Sequence, residues 1–341
     1  MTEVRAGGLH DAHLETRERG DDVPILEVRH LGKYFSIGGG FRPQRLRALN
    51  DVSFKLHPRE VIALVGESGS GKSTVAKILA RLERPTSGQV LFQGRDILRA
   101  EPRRASLAYR SKVQMIFQDP FGSLNPLHRV RYHLARPLVR HHRLAAAGLE
   151  ERVLALLEAV GLTPPAEFAS KLPHQMSGGQ RQRVAIARAL AVEPAVILAD
   201  EPISMLDVSI RMGVLNLMLK LKQERDLAFL YITHDIGSAR YIGDNIMVMY
   251  AGHIVESAPS DQLIDAAAHP YTELLLAAVP DPTSQAPRAI AAKSGAPKLI
   301  DPPPGCAFAD RCPKVMDVCR RENPEPIAIS PRHHVRCHLY R

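Results

Sequence analysis

The stretch EVIALVGESGSGKSTVAKILARL, residues 60–82, constrains this chain more than any other. A short continuous apolar run ending in glycine reads as a strand buried on both faces. The apolar residues of KSTVAKILARL then recur at helical spacing, so the glycine-rich segment between them joins a strand to a helix. Gly66-Glu67-Ser68-Gly69-Ser70-Gly71-Lys72-Ser73 fits G-x-x-x-x-G-K-[ST] in full. Gly66, Gly69 and Gly71 let backbone N–H groups turn inward around phosphate oxygens, and the helix N-terminus adds its positive end. Lys72 is expected on the β and γ phosphates and Ser73 on Mg²⁺, with Ser68, Ser70 and Thr74 in the same nucleotide-binding set.

A loop of this kind needs a second carboxylate for the metal, and AVILADE supplies one at a strand end. Asp200 is expected on Mg²⁺ or just behind it, and Glu201 beside the water that attacks the terminal phosphate. LAFLYITHD reads as a further strand and NIMVMYAGHIVES as a strand pair turning at Gly252. Strands alternating with helices predict an α/β domain with a mainly parallel sheet. Ahead of it, PILEVRHLGKYFSI and LRALNDVSFKL read as strands. Between Phe121 and Gln175 the pattern turns helical and charged, most clearly in LEERVLALLEAVGL before the break at Pro164 and Pro165.

MSGGQRQRVAIARAL, residues 176–190, opens a second helix on glycines, with Gly178 lying 107 residues beyond Gly71. Aiming two helix N-termini at one triphosphate inside one sheet is geometrically hard. Each chain's second loop is therefore expected to complete another chain's nucleotide site, with Ser177, Gly178 and Gly179 facing the far side of the γ phosphate.

The set GESGSGKST, Gln118 in MIFQDP, MSGGQ, VILADEP, SMLD and His234 in YITHD resembles the ATP-binding cassette ATPases, in order, over residues 24 to about 260. Met176, where the family usually has Leu, is a mild departure at a packing position. The resemblance implies a P-loop NTPase fold: a RecA-like parallel core with an N-terminal antiparallel β part and a helical subdomain over about 121–189. It implies a head-to-tail pair of cassettes with ATP between the phosphate loop of one and the signature of the other. It also assigns Gln118 to the γ phosphate or its water through Mg²⁺, His234 to the γ phosphate, and Ser177 to Gln180 and Asp207 to the interface. An aromatic, Phe35 rather than Tyr34, is assigned to adenine.

QDPFGSLNP, LDVSI, HPYTELLLAAVP and the tail GCAFADRCP…CHLY resemble, more narrowly, the ATP-binding subunits of dipeptide and oligopeptide importers. LERPTSGQVLFQGRDI resembles the second of the two such subunits. That implies a second cassette (paralogue or self), two transmembrane permease subunits, an extracytoplasmic solute-binding protein, and a place on the cytoplasmic face of the membrane. Opine, nickel, glutathione and oligosaccharide importers of the same family stay open as alternatives. The expected division is a tail over 1–23, the nucleotide-binding domain over 24–279 and a Cys-rich C-terminal domain over 280–341.

Composition narrows the classes. Hydrophobic residues make up 45% and charged residues 24%, which fits neither a disordered chain nor a membrane-spanning one. No apolar run approaches the ~18 residues of a spanning helix, and the first residues are too polar for a secretory signal. The net charge of +9 is scattered, and with 5% aromatics there is no basic, stacking stripe of the kind that grips single strands. No nucleic-acid partner is expected; a soluble cassette ATPase of repair or translation is the rival class.

From Val279 the texture changes, with 11 of the 26 prolines in residues 279–341. All four cysteines, Cys306, Cys312, Cys319 and Cys337, fall in the last 36 residues. Their spacing lacks the paired C-x2-C of a strong zinc site. The resemblance of this tail implies a [4Fe-4S] cluster, which the matching cysteines of such importers can hold; zinc and plain reduced thiols remain alternatives, with His333, His334 and His338 as spare ligands.

Overall fold

A computed structural model describes residues 23–38, 44–142, 146–278, 300–302 and 304–341. Its strands are β1 (Leu26–Ile37), β2 (Gln44–Leu56), β3 (Val61–Val65), β4 (Ser87–Phe92), β5 (Arg95–Asp96), β6 (Val113–Ile116), β7 (Val196–Asp200), β8 (Ala228–Thr233), β9 (Asn245–Tyr250), β10 (His253–Pro259), β11 (Ile327–Ser330) and β12 (His333–Val335). They form two sheets, β2-β1-β4-β5 and β11-β12-β10-β9-β3-β8-β7-β6. Pairing is antiparallel throughout the first. In the second it is parallel from β9 to β6 and antiparallel from β9 out to β11.

Every residue of β3, β7 and β8 is buried, as expected for parallel strands covered on both faces. Because successive side chains point to opposite faces, each strand feeds two cores. Val61, Ala63 and Val65 join Ile197, Ala199, Phe229 and Tyr231 on one face. Ile62 and Leu64 join Val196, Leu198, Leu230 and Ile232 on the other.

The second core is closed by the antiparallel sheet, through Leu26, Val28, Leu49 and Val90, and by α1 (Lys72–Leu79). Two short helices, α2 (Ile97–Ala100) and α3 (Leu107–Lys112), add Ile97 and Tyr109 to it. Both are started by side chains: Asp96 accepts from Leu98 N–H, and Ser106 Oγ from Tyr109 N–H at 3.0 Å, as N-caps do.

The first core receives the helical region. After α4 (Pro120–Ser123) come α5 (Val130–His142), α6 (Ala146–Ala159) and α7 (Pro165–Ser170), then α8 (Gly178–Leu190) and α9 (Val208–Glu224). Val130, Leu134 and Leu138 of α5 meet Val153, Leu156 and Leu157 of α6 and Val184 and Ala187 of α8. The expected break after LEERVLALLEAVGL is there. Gly161 takes a left-handed φ of 70°, the conformation that suits glycine beyond a helix end, and α7 starts on Pro165, where a missing N–H costs nothing.

The strand pair read from NIMVMYAGHIVES is β9 and β10, joined through Ala251 and Gly252 at φ 47° and 83°. Two positive φ values match the turn that two-residue hairpins favour. After α10 (Ile236–Ile242), α11 (Ser260–Asp265) and α12 (Pro270–Ala277), the expected boundary near residue 279 lies outside the described residues.

The C-terminal segment joins the cassette's sheet. After α13 (Asp317–Arg321), β12 pairs with β10 (Glu256↔Val335, Ser257↔His334) and β11 pairs with β12, lengthening the cassette's own sheet. Buried Glu256 anchors the join: its carboxylate accepts from the Ala268 and His269 N–H groups at 2.7 and 2.9 Å and lies 2.7 Å from His333 Nε2. Phe308 packs into the first core beside Tyr250 and Tyr271. No helix among the described residues is long and apolar enough to cross a membrane.

Candidate nucleotide site

β3 ends at Val65 and α1 begins at Lys72, so Gly66–Gly71 make the loop between a buried strand and a helix N-terminus. Two of its glycines are required by their neighbours. A Cβ on Gly66 would lie 2.2 Å from the Met249 carbonyl oxygen, and one on Gly71, at φ 109°, 2.5 Å from that of Ala48. β9 and β2 thus press backbone against backbone on the loop, leaving no room for a side chain.

Lys72 is buried and its ammonium donates to the carbonyls of Gly66 and Glu67 at 2.6 and 2.8 Å and to Ser70 Oγ at 3.4 Å. Burial lowers its pKa, while Glu201, Asp200 and Glu67 pull it back up. Ser73 Oγ donates to Asp200 Oδ1 at 3.0 Å, placing hydroxyl and carboxylate where one cation would meet both. Burial raises the Asp200 pKa and the Ser73 hydrogen bond opposes it. Such hydroxyl-and-carboxylate oxygen donors suit Mg²⁺.

Glu201 follows directly, in the left-handed region at φ 46°, its N–H donating to the Ile232 carbonyl at 2.9 Å. For a non-glycine residue that conformation costs on the order of 1 kcal/mol. It turns the carboxylate out of the sheet, between Gln118 Nε2 at 3.0 Å and His234 Nδ1 at 3.3 Å. Gln118 and His234 are both exposed, beyond the ends of β6 and β8. Thus the phosphate loop, Asp200, Glu201, Gln118 and His234 all lie at the C-terminal ends of β3, β7, β6 and β8, the edge where open parallel sheets bind ligands.

The signature is a second group, on α8. Ser177 is the N-cap: its Oγ accepts from Gln180 N–H at 3.3 Å and Gln180 Oε1 accepts from Ser177 N–H at 3.0 Å, a reciprocal capping box. Met176 is buried, as expected of a packing position. A Cβ on Gly179 would fall 2.4 Å from Ile210 Cγ2 and one on Gly178 3.4 Å from Leu206 Cδ2, so the signature packs against the loop that carries Asp207. Asp207 is exposed and does not cap its own helix, α9.

Phe35 pairs with Leu46 on β2, two residues before the Ala48 carbonyl that abuts Gly71. It is half-buried, with the Lys33 ammonium 4.6 Å from its ring centroid, while Tyr34 faces the Arg47 guanidinium at 5.8 Å.

The cysteines are free thiols: Cys319 and Cys337 buried, Cys306 and Cys312 half-buried. Burial pushes Cys306 up to about 11 and raises Cys312 and Cys337, and the other thiols of the group add to the shift. They share one neighbourhood, with Cys306 N–H donating to the Cys319 carbonyl at 2.7 Å. Even so, no group of three or more His, Cys, Asp or Glu among the described residues is arranged to hold a metal ion. His333 and His338 are not spare ligands: they bond Glu256 and the Glu322 carbonyl through Nε2.

Two contacts to the phosphate loop went unread in the sequence. Glu67 N–H donates to the Tyr271 hydroxyl at 2.9 Å, and both Glu67 oxygens accept from Arg311 at 2.8 Å. HPYTELLLAAVP and ADRCP, which carry these partners, give no spacing signal that points to the loop.

Comparison with known proteins matches residues 49–204 to the ABC transporter model and residues 255–319 to the oligopeptide/dipeptide transporter C-terminal region. The chain is 42% identical to the oligopeptide transport ATP-binding protein AppF of Bacillus subtilis, over 93% of this chain and 97% of that one. It is also 42% identical to the dipeptide transport ATP-binding protein DppF of Escherichia coli, over 92% and 93%. Among solved structures it resembles the ATP-binding cassette MJ0796, a dimer bound to ADP and Pi, with a TM-score of 0.60 and 30% identity over 69% of this chain and 99% of that one. For cbiO1 of Clostridium perfringens, part of an ABC transporter complex, the TM-score is 0.62 at 27% identity over 72% and 92%.

Proposed function

This chain belongs to the ABC transporter ATPases that carry the oligopeptide/dipeptide C-terminal region, and from that premise we propose that it is the ATP-hydrolysing subunit of a peptide importer. The observation that carries the reading is that one chain brings Ser73–Asp200 and Gln118–Glu201–His234 together at one end of its sheet and is similar to oligopeptide and dipeptide transport subunits over more than 90% of its length.

In this proposal Lys72 moves from the loop carbonyls to the β and γ phosphates, and the N–H groups of Gly66–Ser73 and Thr74 cradle the same oxygens. Ser73, Asp200 and Gln118 would hold Mg²⁺, which would neutralise phosphate charge. Glu201 takes a proton from the attacking water, and His234 donates toward the γ phosphate, where negative charge develops. Phe35 stacks on adenine through the ring face that Lys33 leaves open. Ser177, Gly178, Gly179, Gln180 and Asp207 face the nucleotide of a second cassette, so that ATP draws two cassettes together and its hydrolysis releases them. That cycle drives two permease subunits at the cytoplasmic face of the membrane, fed by a solute-binding protein outside.

A [4Fe-4S] cluster on Cys306, Cys312, Cys319 and Cys337 is a finer part of the proposal. It is supported by four free thiols in one segment, with Cys306 N–H bonded to the Cys319 carbonyl. Brown, iron-containing protein after anaerobic purification would support it; colourless, iron-free protein would remove it.

The test of the function is uptake. Vesicles holding the chain with its permeases and second cassette are expected to accumulate labelled dipeptide with ATP and lose that uptake with Lys72→Ala. ATP-dependent uptake of another solute in place of peptide would reassign the cargo. Salt-sensitive binding to RNA or DNA, without uptake, would place the chain in the rival class.

A further inference from the structure

Glu67 is the second residue of the phosphate loop, and all three of its polar groups are held. Its carbonyl accepts from Lys72 at 2.8 Å, its N–H donates to the Tyr271 hydroxyl at 2.9 Å, and its carboxylate takes both arms of Arg311 at 2.8 Å. Only the first contact is internal to the loop. Tyr271 stands on α12, and Arg311 on the turn between Cys306 and Cys312, 204 and 244 residues away in the chain.

Arg311 is itself braced. Its guanidinium lies 5.6 Å from the Tyr250 ring centroid and 5.8 Å from that of Phe308. Tyr250, Tyr271 and Phe308 pack against one another in tilted and edge-to-face contacts with centroids 4.6 to 5.4 Å apart, and none is more than 2% exposed. Arg311 N–H also donates to the Phe308 carbonyl at 3.0 Å. A two-armed guanidinium–carboxylate pair fixes orientation as well as distance, and the Glu67 side raises the Arg311 pKa further above its ordinary value. At 17% exposure for Arg311 and 39% for Glu67, the pair is shielded mainly on the arginine side.

A glycine-rich loop has the backbone freedom to lose its anion-accepting shape when empty, and ordering it again on binding subtracts from affinity. An outside anchor on its second residue removes part of that cost. We propose that Arg311 is a positioning residue for ATP: by clamping Glu67 against the Tyr250–Tyr271–Phe308 cluster it keeps the phosphate loop shaped for the triphosphate, so the cysteine-bearing segment sets the nucleotide affinity of the cassette. This rests on the reading of that loop as the ATP site.

The experiment is MgATP binding by the full-length chain, by competition with a fluorescent analogue well below the unfolding temperature, with Lys72→Ala as the control for the site. Arg311→Ala is expected to weaken MgATP about tenfold, the scale of one charge-assisted contact. Arg311→Lys, which keeps the charge but not the fork, should fall between. Combining Arg311→Ala with Glu67→Ala should weaken binding no more than either alone, since both remove one interaction. In the assembled transporter the loss is expected in KM for ATP far more than in kcat.

Unchanged affinity in Arg311→Ala, with only a lowered unfolding temperature, would make the contact purely structural and overturn the proposal, as would additive effects in the double variant. If Arg311→Ala does not fold, Glu67→Gln carries the test, with an expected weakening of about threefold for a neutral acceptor in place of a charged one. Normal MgATP binding by Lys72→Ala would instead sink the site assignment, a result separate from the Arg311 outcome.

Discussion

Gln118 and His234 flank one carboxylate from its two sides, Gln118 Nε2 at 3.0 Å from Oε2 of Glu201 and His234 Nδ1 at 3.3 Å from Oε1. Unlike Asp200, which accepts from Ser73, this carboxylate is bonded on neither side to the phosphate loop or its helix. Glu201→Gln keeps the shape and both neighbours but cannot take a proton. Hydrolysis is expected to fall by about 10² to 10⁴ with ATP binding retained and the closed pair of cassettes favoured. Phosphate release and nucleotide binding on the assembled complex check this; near-normal turnover would strip Glu201 of the role.

Ser177 separates stability from activity. Ser177→Ala leaves the Gln180 N–H without its cap and is expected to cost about 1 kcal/mol. Ser177→Glu places a negative charge at a helix N-terminus, where the helix itself tolerates it well, yet that charge would face the partner cassette's γ phosphate. Melting temperature should therefore stay near wild type while turnover in the complex collapses. Full activity in Ser177→Glu would mean that the second loop faces no nucleotide.

Gly179 is set by Ile210. A methyl group there would sit 2.4 Å from Ile210 Cγ2, and a β-branched side chain with one favoured rotamer has little freedom to yield. Gly179→Ala is expected to destabilise by about 1 to 3 kcal/mol through overpacking, with part recovered in Gly179→Ala/Ile210→Ala. Urea unfolding of the three proteins decides it, and absence of any recovery would place the strain elsewhere.

His269 predicts a pH dependence. Burial holds its pKa down to about 3, and its Nδ1 accepts from Tyr271 N–H at 3.0 Å, so the folded chain needs the neutral ring. The folded state binds fewer protons than the unfolded one between the ordinary histidine pKa of about 6.5 and about 3. Stability is therefore fully present above pH 6.5 and falls as the pH drops through that window, by about 1.4 kcal/mol per unit. His253, held by burial at about 4, adds a second slope over the upper part. His269→Asn keeps an acceptor for the cap but does not titrate, so its stability curve between pH 6 and 4.5 should be flatter. An unchanged slope in denaturant titrations would show that the ring is not held neutral.

The nucleotide machinery was legible because its chemistry is local. Gly66–Ser73 sits between an apolar run and a helical repeat, Asp200–Glu201 closes another apolar run, and Ser177–Gln180 starts its helix by contacts three residues apart. The turn at Ala251–Gly252 carried its own signal for the same reason. The Arg311–Glu67 and Tyr271–Glu67 contacts did not, since no periodicity relates residues more than 200 apart. HHV of β12 is too short to show a strand pattern, and its pairing is chosen by the open side of β10 and by Glu256 rather than by its own composition. For the cysteines, a metal was implied by the resemblance of the tail and not by their spacing, which does not encode how thiols face one another once their backbones lie on a turn and a helix and beyond a strand.

β12 has one more consequence, which concerns crowding. Without it β10 would present a bare row of N–H and C=O groups to any passing copy, a ready template for edge-to-edge stacking. With it, the outermost strand is β11, four residues long and irregular between Ala328 and Ser330, a poor partner for further growth. On this side of the sheet, little open edge is left on which a further strand could pair.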